Sequence, residues 1–94
     1  MSDLTGGDDS QILNVYVKPG CPWCINVIQF LKENGYRFKE IDVIADETKM
    51  AEMEEISGQT FAPTMRVGKN DDLVLADFGV DELKLFLDQH GIGP

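Results

Sequence analysis

Cys21 and Cys24 are the only cysteines in a sequence of 94 residues, and Pro22 and Trp23 separate them. Thiols at this spacing can close a disulfide with each other or share a metal ion. A closed four-ligand zinc site has little to draw on, because the chain has one histidine, His90, and no third cysteine. It would need weaker ligands or a second subunit, so no metal ligand is assigned. Redox chemistry fits the surroundings better. The pair sits between an apolar run, Ile12 to Val17, and a stretch of helical periodicity whose first turn suits Pro22. Cys21 then falls at the helix start, where unpaired backbone N–H groups stabilise an anion, the reactive form of a thiol. Lys18 can add a positive charge from the preceding turn. Cys24 lies one turn into the helix, less exposed and close enough to attack a mixed disulfide on Cys21. Cys21 is therefore read as nucleophile and Cys24 as resolving thiol, the two forming a redox-active disulfide.

The elements that must hold this pair can be read along the chain. Ile12 to Val17 is β-branched and nearly continuously apolar, which predicts a central strand buried on both faces. Lys18-Pro19-Gly20 breaks it. Cys24, Val27, Ile28 and Leu31 recur at helical spacing, predicting a helix from Pro22 to Asn34 that stops at Gly35. Arg37 to Val43 alternates as a second strand. Asp46 can cap a second helix with Met50, Met53 and Ile56 inward and Gly58 as its stop. Thr64 to Val67 and Leu73 to Ala76 predict a hairpin across Gly68-Lys69-Asn70-Asp71. Asp81 to His90 predicts a last helix with Leu83, Phe86 and Leu87 inward, and His90 as its C-terminal dipole partner. The order β-α-β-α-β-β-α describes an α/β fold. It implies a four-stranded mixed sheet flanked by helices, the first two strands parallel through a right-handed crossover. Residues 1–10 read as a flexible leader and residues 11–94 as one domain.

Composition removes other classes. The hydrophobic fraction is 43% and the charged fraction 27%, too apolar for a disordered chain. The net charge of −9 has the wrong sign for a phosphate backbone or an anionic membrane surface. No apolar run approaches the ~20 residues that span a bilayer, and the acidic start lacks the features of a signal peptide. The expectation is a cytoplasmic monomer without nucleic-acid or membrane partners.

The run Lys18-Pro19-Gly20-Cys21-Pro22-Trp23-Cys24 after Val15-Tyr16-Val17 resembles the glutaredoxin active site, with Trp23 where many members have Tyr. Ser57-Gly58-Gln59-Thr60-Phe61-Ala62-Pro63-Thr64 is similar to that family's approach to its cis-proline. The resemblance covers about residues 11–90. It implies the glutaredoxin branch of the thioredoxin fold and reduction of protein disulfides or glutathione mixed disulfides. Glutathione would be a co-substrate, with no bound cofactor. It also implies a groove for glutathione beside Cys21. Lys18 and Gln59 would meet a carboxylate, Gln59 standing where many members have Arg. The Ala62 backbone, before a cis Pro63, would bond the cysteinyl part like an added strand. Val80 and Asp81 would receive the γ-glutamyl end at a helix start.

The sequence departs from the family pattern near that last helix. Many members carry a Gly-Gly pair, whereas Asp77-Phe78-Gly79-Val80-Asp81 keeps one glycine and adds a bulky Phe78 expected to crowd the groove. A Phe there is reminiscent of glutaredoxin-like redoxins reduced by thioredoxin reductase, which is the alternative electron donor. A third reading is an iron–sulfur carrier bridging two subunits through Cys21-type thiolates and glutathione. Trp23 is expected to be exposed beside the cysteines.

Overall fold

A computed structural model describes residues 12–70 and 72–94; the leader assigned to residues 1–10 lies outside the described residues. The elements run β1 (Leu13–Val17), α1 (Pro22–Glu33), β2 (Phe38–Asp42), α2 (Glu47–Ser57), β3 (Thr64–Val67), β4 (Val74–Ala76) and α3 (Val80–Gln89). The sheet order is β2-β1-β3-β4. β1 pairs parallel with β2 and antiparallel with β3, and β3 pairs antiparallel with β4. The predicted order and strand directions hold, and the architecture is the thioredoxin fold.

Alternation along β1 decides the layering. Leu13, Val15 and Val17 join Met65 and Val67 under α1 and α3 in the larger core, with Val27, Ile28, Leu31, Leu83, Phe86 and Leu87. Tyr16 points to the opposite face, where it packs with Val43 and Met53 beneath α2. The phenol is fully buried and donates to Glu52 Oε1 at 2.5 Å. Helix ends follow local chemistry. Asp46 caps α2 by accepting from Thr48 N–H at 2.9 Å, and Gly58 ends it in the left-handed region with φ 72°.

Several element bounds differ from the sequence reading by one residue: β1 begins at Leu13, α1 ends at Glu33 and β2 spans Phe38–Asp42. Leu73 lies outside β4, because its N–H donates to Asn70 O at 3.0 Å and so closes the turn. The last helix begins at Val80, with Gly79 as N-cap, and ends before His90, whose ring lies 4.5 Å from Phe86.

Candidate active site

The turn leaving β1 delivers Cys21 to the start of α1. Cys21 N–H donates to Lys18 O at 3.3 Å, and Gly20 takes φ 76° to make the bend. Cys21 is the N-cap, in extended backbone, and its Sγ accepts from Cys24 N–H at 3.2 Å. A serine or aspartate commonly makes this bond; here the helix start gives it to sulfur. The Cys21 thiol also points at Ala62 O, 3.8 Å away. Both cysteines are free thiols. Cys24 is only 3% exposed. Burial first, then its hydrogen bond with Cys21, pushes the Cys24 thiol up to about 12. The pair is thus asymmetric, with Cys21 half-buried at the surface and Cys24 protonated behind it.

The segment between α2 and β3 brings Ala62 to that sulfur. The Ala62–Pro63 peptide is cis, in agreement with the resemblance. Pro63 O accepts from Asp77 N–H at 2.9 Å, which ties this segment to the chain entering α3. Asp77 has φ 53°, and nothing in the sequence reading singled it out; Asp is among the residues that tolerate the left-handed region. The Gln59 side chain does not reach out toward a ligand. Nε2 donates to Ser57 Oγ at 2.8 Å and to Thr64 Oγ1 at 2.9 Å, while Oε1 accepts from Phe61 N–H at 2.6 Å. Ser57 and Thr64 were also missed; their signal was only two hydroxyls flanking an amide in a turn.

The start of α3 closes the other side. Val80 packs on the same core as Cys21 and Ala62, and Asp81 is exposed in the first turn. Glu82 Oε1 accepts from Gly79 N–H at 2.7 Å, half of a capping box, since glycine has no side chain to return the bond. Phe78 does not crowd the groove as expected: it is 4% exposed and belongs to the core. Trp23 takes the outer position instead. Its ring lies over Gly79, so close that a Cβ on Gly79 would sit 3.3 Å from Trp23 Cε3, yet the residue as a whole is 63% exposed.

Lys18 meets Cys21 through its backbone carbonyl. It lines a groove of about 490 Å³ between α1 and β2, with Cys24, Ile28, Lys32 and Asp42. Among the described residues, no three His, Cys, Asp or Glu side chains are grouped to hold a metal ion.

A thiol at a helix N-cap, a buried second thiol one turn on and a cis-proline loop against the first sulfur, all on this sheet, define a redox protein of thioredoxin fold. The family model described as Glutaredoxin matches residues 13–71, more than half of the chain, and the protein belongs to the glutaredoxin family. The chain is 28% identical over 85 residues to N-acetyl-S-hydroxy-L-cysteine reductase of Bacillus subtilis, covering 86% of this chain and 90% of that protein. It is 30% identical over 66 residues to hybrid peroxiredoxin hyPrx5 of Haemophilus influenzae, covering 65% of this chain; the match spans only 27% of that longer protein. Among solved structures it is similar to the thioredoxin-like protein BC3987. The TM-score is 0.68 at 30% identity, over 80% of this chain and 99% of that one.

Proposed function

We propose that this protein is a dithiol oxidoreductase that reduces protein disulfides and glutathione mixed disulfides, with glutathione as the co-substrate that returns electrons to it. The observation that carries the reading is the placement of Cys21 Sγ, 3.2 Å from Cys24 N–H and 3.8 Å from Ala62 O, with the Cys24 thiol buried behind it. Cys21 as thiolate attacks one sulfur of the substrate disulfide. That S–S bond breaks, the other sulfur leaves as a thiolate and takes a proton, and a Cys21 mixed disulfide remains. Cys24 gives up its proton and attacks Cys21 Sγ, releasing the second substrate thiol and leaving a Cys21–Cys24 disulfide. Two electrons have passed to the substrate. Two glutathione molecules reverse the change, the first forming a mixed disulfide on Cys21 and the second leaving with it as glutathione disulfide. The high proton affinity of Cys24 suits its role, since it stays a thiol until Cys21 is engaged. The Ala62 backbone would align the cysteinyl part of glutathione, Val80 and Asp81 its γ-glutamyl end, and Lys18 a carboxylate.

The B. subtilis relative is named for reducing an S-hydroxylated cysteine derivative. The same two thiols would perform that reaction with water leaving in place of a thiol.

The test compares two single variants on a glutathionylated peptide. Cys21→Ser should abolish turnover, and Cys24→Ser should keep it while losing reduction of protein disulfides. Complete and equal loss in both variants on the glutathionylated peptide would overturn the reading.

Two observations favour a second electron donor. Trp23 lies over Gly79, and the Gln59 amide is occupied within its own loop. Both reduce what this site offers glutathione, and thioredoxin reductase would then supply the electrons. NADPH consumption with thioredoxin reductase and no glutathione supports that reading; none with a cognate reductase removes it.

A further inference from the structure

The bonds of Gln59 form a closed and directional set. Phe61 N–H can only donate, so the side-chain oxygen must face it and the amide nitrogen must face the two hydroxyls. Both amide protons are then committed, to Ser57 Oγ and Thr64 Oγ1. Each hydroxyl keeps its own proton for a backbone carbonyl: Ser57 Oγ donates to Met53 O at 2.6 Å, and Thr64 Oγ1 to Phe61 O at 2.8 Å. One end of this clamp is the last turn of α2 and the other is the first residue of β3. Thr64 is fully buried and pairs with Tyr16 of the central strand.

What the clamp holds is Phe61, gripped by its N–H and its C=O alike. The residue is 62% exposed. Phe61 directly precedes Ala62, whose carbonyl faces the Cys21 sulfur. A second exposed aromatic, Trp23, two residues beyond Cys21, is seated on Gly79. The reactive sulfur therefore lies near two exposed aromatic residues, Trp23 with its ring seated on Gly79 and Phe61 held through its backbone. Rigid exposed aromatics are the usual anchors of protein contacts, because they bury much area at little entropic cost. The net charge of −9 also disfavours small anionic partners relative to neutral or basic segments.

We propose that Gln59 is a positioning residue: by fixing Phe61 and Ala62 beside Cys21, it gives the site a preference for polypeptide disulfides with an apolar side chain next to the reacting cysteine. This rests on disulfide exchange at Cys21 as set out above.

The experiment uses two neutral peptides of one cysteine each, flanked by leucine in one and by serine in the other. Each is joined through that cysteine to thionitrobenzoate. Attack of the Cys21 thiolate on the peptide sulfur breaks the mixed disulfide and releases the coloured thionitrobenzoate anion; Cys24 then displaces the peptide thiol. The reduced protein should react faster with the leucine peptide by about fivefold, as expected from shielding roughly 40 Å² of apolar surface. Phe61→Ala should bring the ratio of rate constants toward one. Gln59→Glu keeps the acceptor but loses both donors, and it should lower the ratio with the ring intact. Ser57→Ala, which removes one partner, should give an intermediate ratio if Gln59→Glu fails to fold. A residue with a merely structural role would slow both peptides alike, so a Gln59→Glu or Ser57→Ala protein that keeps the wild-type ratio overturns the proposal. So does a wild-type ratio of one with brisk release from both peptides. Absence of release from either peptide contradicts exchange at Cys21 itself and takes the proposal with it.

Discussion

The ring of Trp23 lies on Gly79, joining the start of α1 to the start of α3. A Cβ on Gly79 would meet Trp23 Cε3 at 3.3 Å and Glu82 Oε1 at 3.1 Å. Trp23 thereby sits on the N-cap of the helix whose next two residues, Val80 and Asp81, the family resemblance assigns to the γ-glutamyl group of glutathione. The motif residue and the glycine are 56 positions apart in the sequence, so no local pattern announces the contact.

Gly79→Ala should therefore displace the indole and cost about 1 kcal/mol of stability through overpacking. Part of that cost should vanish in a Trp23→Ala background, giving a coupling of roughly 0.5 kcal/mol or more. Trp23 is the sole tryptophan, so its emission reports the displacement directly. Additive costs in denaturant melts of the four proteins would show that the contact carries no energy.

Cys24 links stability to pH in the reduced protein. Its ordinary value of 9.0 is pushed up to about 12 by burial and by the bond with Cys21. Between those two values the unfolded chain has released a proton that the folded protein retains, so rising pH favours unfolding. The contribution is complete below pH 9 and is lost toward pH 12. The difference in melting temperature between reduced wild type and Cys24→Ala should shift against the wild type as pH rises from about 8 to about 10.5. A difference independent of pH would contradict the assignment. In the same protein at the lower pH, iodoacetamide should modify Cys21 and spare Cys24.

Tyr16 and Glu52 form the polar centre beneath α2. Burial first, then the bond to Glu52, raises the Tyr16 phenol above its ordinary value. Tyr16→Phe removes the donor and leaves a half-exposed carboxylate that water can serve, a loss of about 1 kcal/mol. Glu52→Ala takes away the acceptor of a buried phenol proton, leaving the hydroxyl only its interaction with Arg66, and should cost more, roughly 1–3 kcal/mol. Urea melts of the two variants would show the order, and the reverse order would contradict it.

Gly58 has φ 72°, and nothing lies within 4 Å of an added Cβ. Gly58→Ala should then cost about 1 kcal/mol from backbone conformation alone. Gly58→Asn should recover part of it, as melting temperatures would show. Equal losses for both would point to a contact in place of a backbone preference.

The parts legible in the sequence are those set by short-range rules. Pro22 after an apolar strand located the α1 start, Asp46 and Gly58 bounded α2, and the two thiols fell where the helix start made them unequal. What escaped depends on groups brought together only by the fold. Leu73 has strand composition, but its N–H is taken by Asn70 O. Phe78 looked like an obstacle in a groove because sequence shows bulk and not direction; after the left-handed Asp77 it enters the core. Gln59 stands where the family pattern has a charged ligand-binding residue, and only the positions of Ser57 and Thr64 reveal that its amide is turned inward.

The most direct test of the account is glutathione-dependent reduction of a small glutathionyl mixed disulfide, coupled to glutathione reductase and followed by NADPH oxidation. The account predicts sustained turnover that disappears in Cys21→Ser and persists in Cys24→Ser. No turnover by wild-type protein, with both thiols confirmed reduced, would contradict it and transfer the electron supply to thioredoxin reductase.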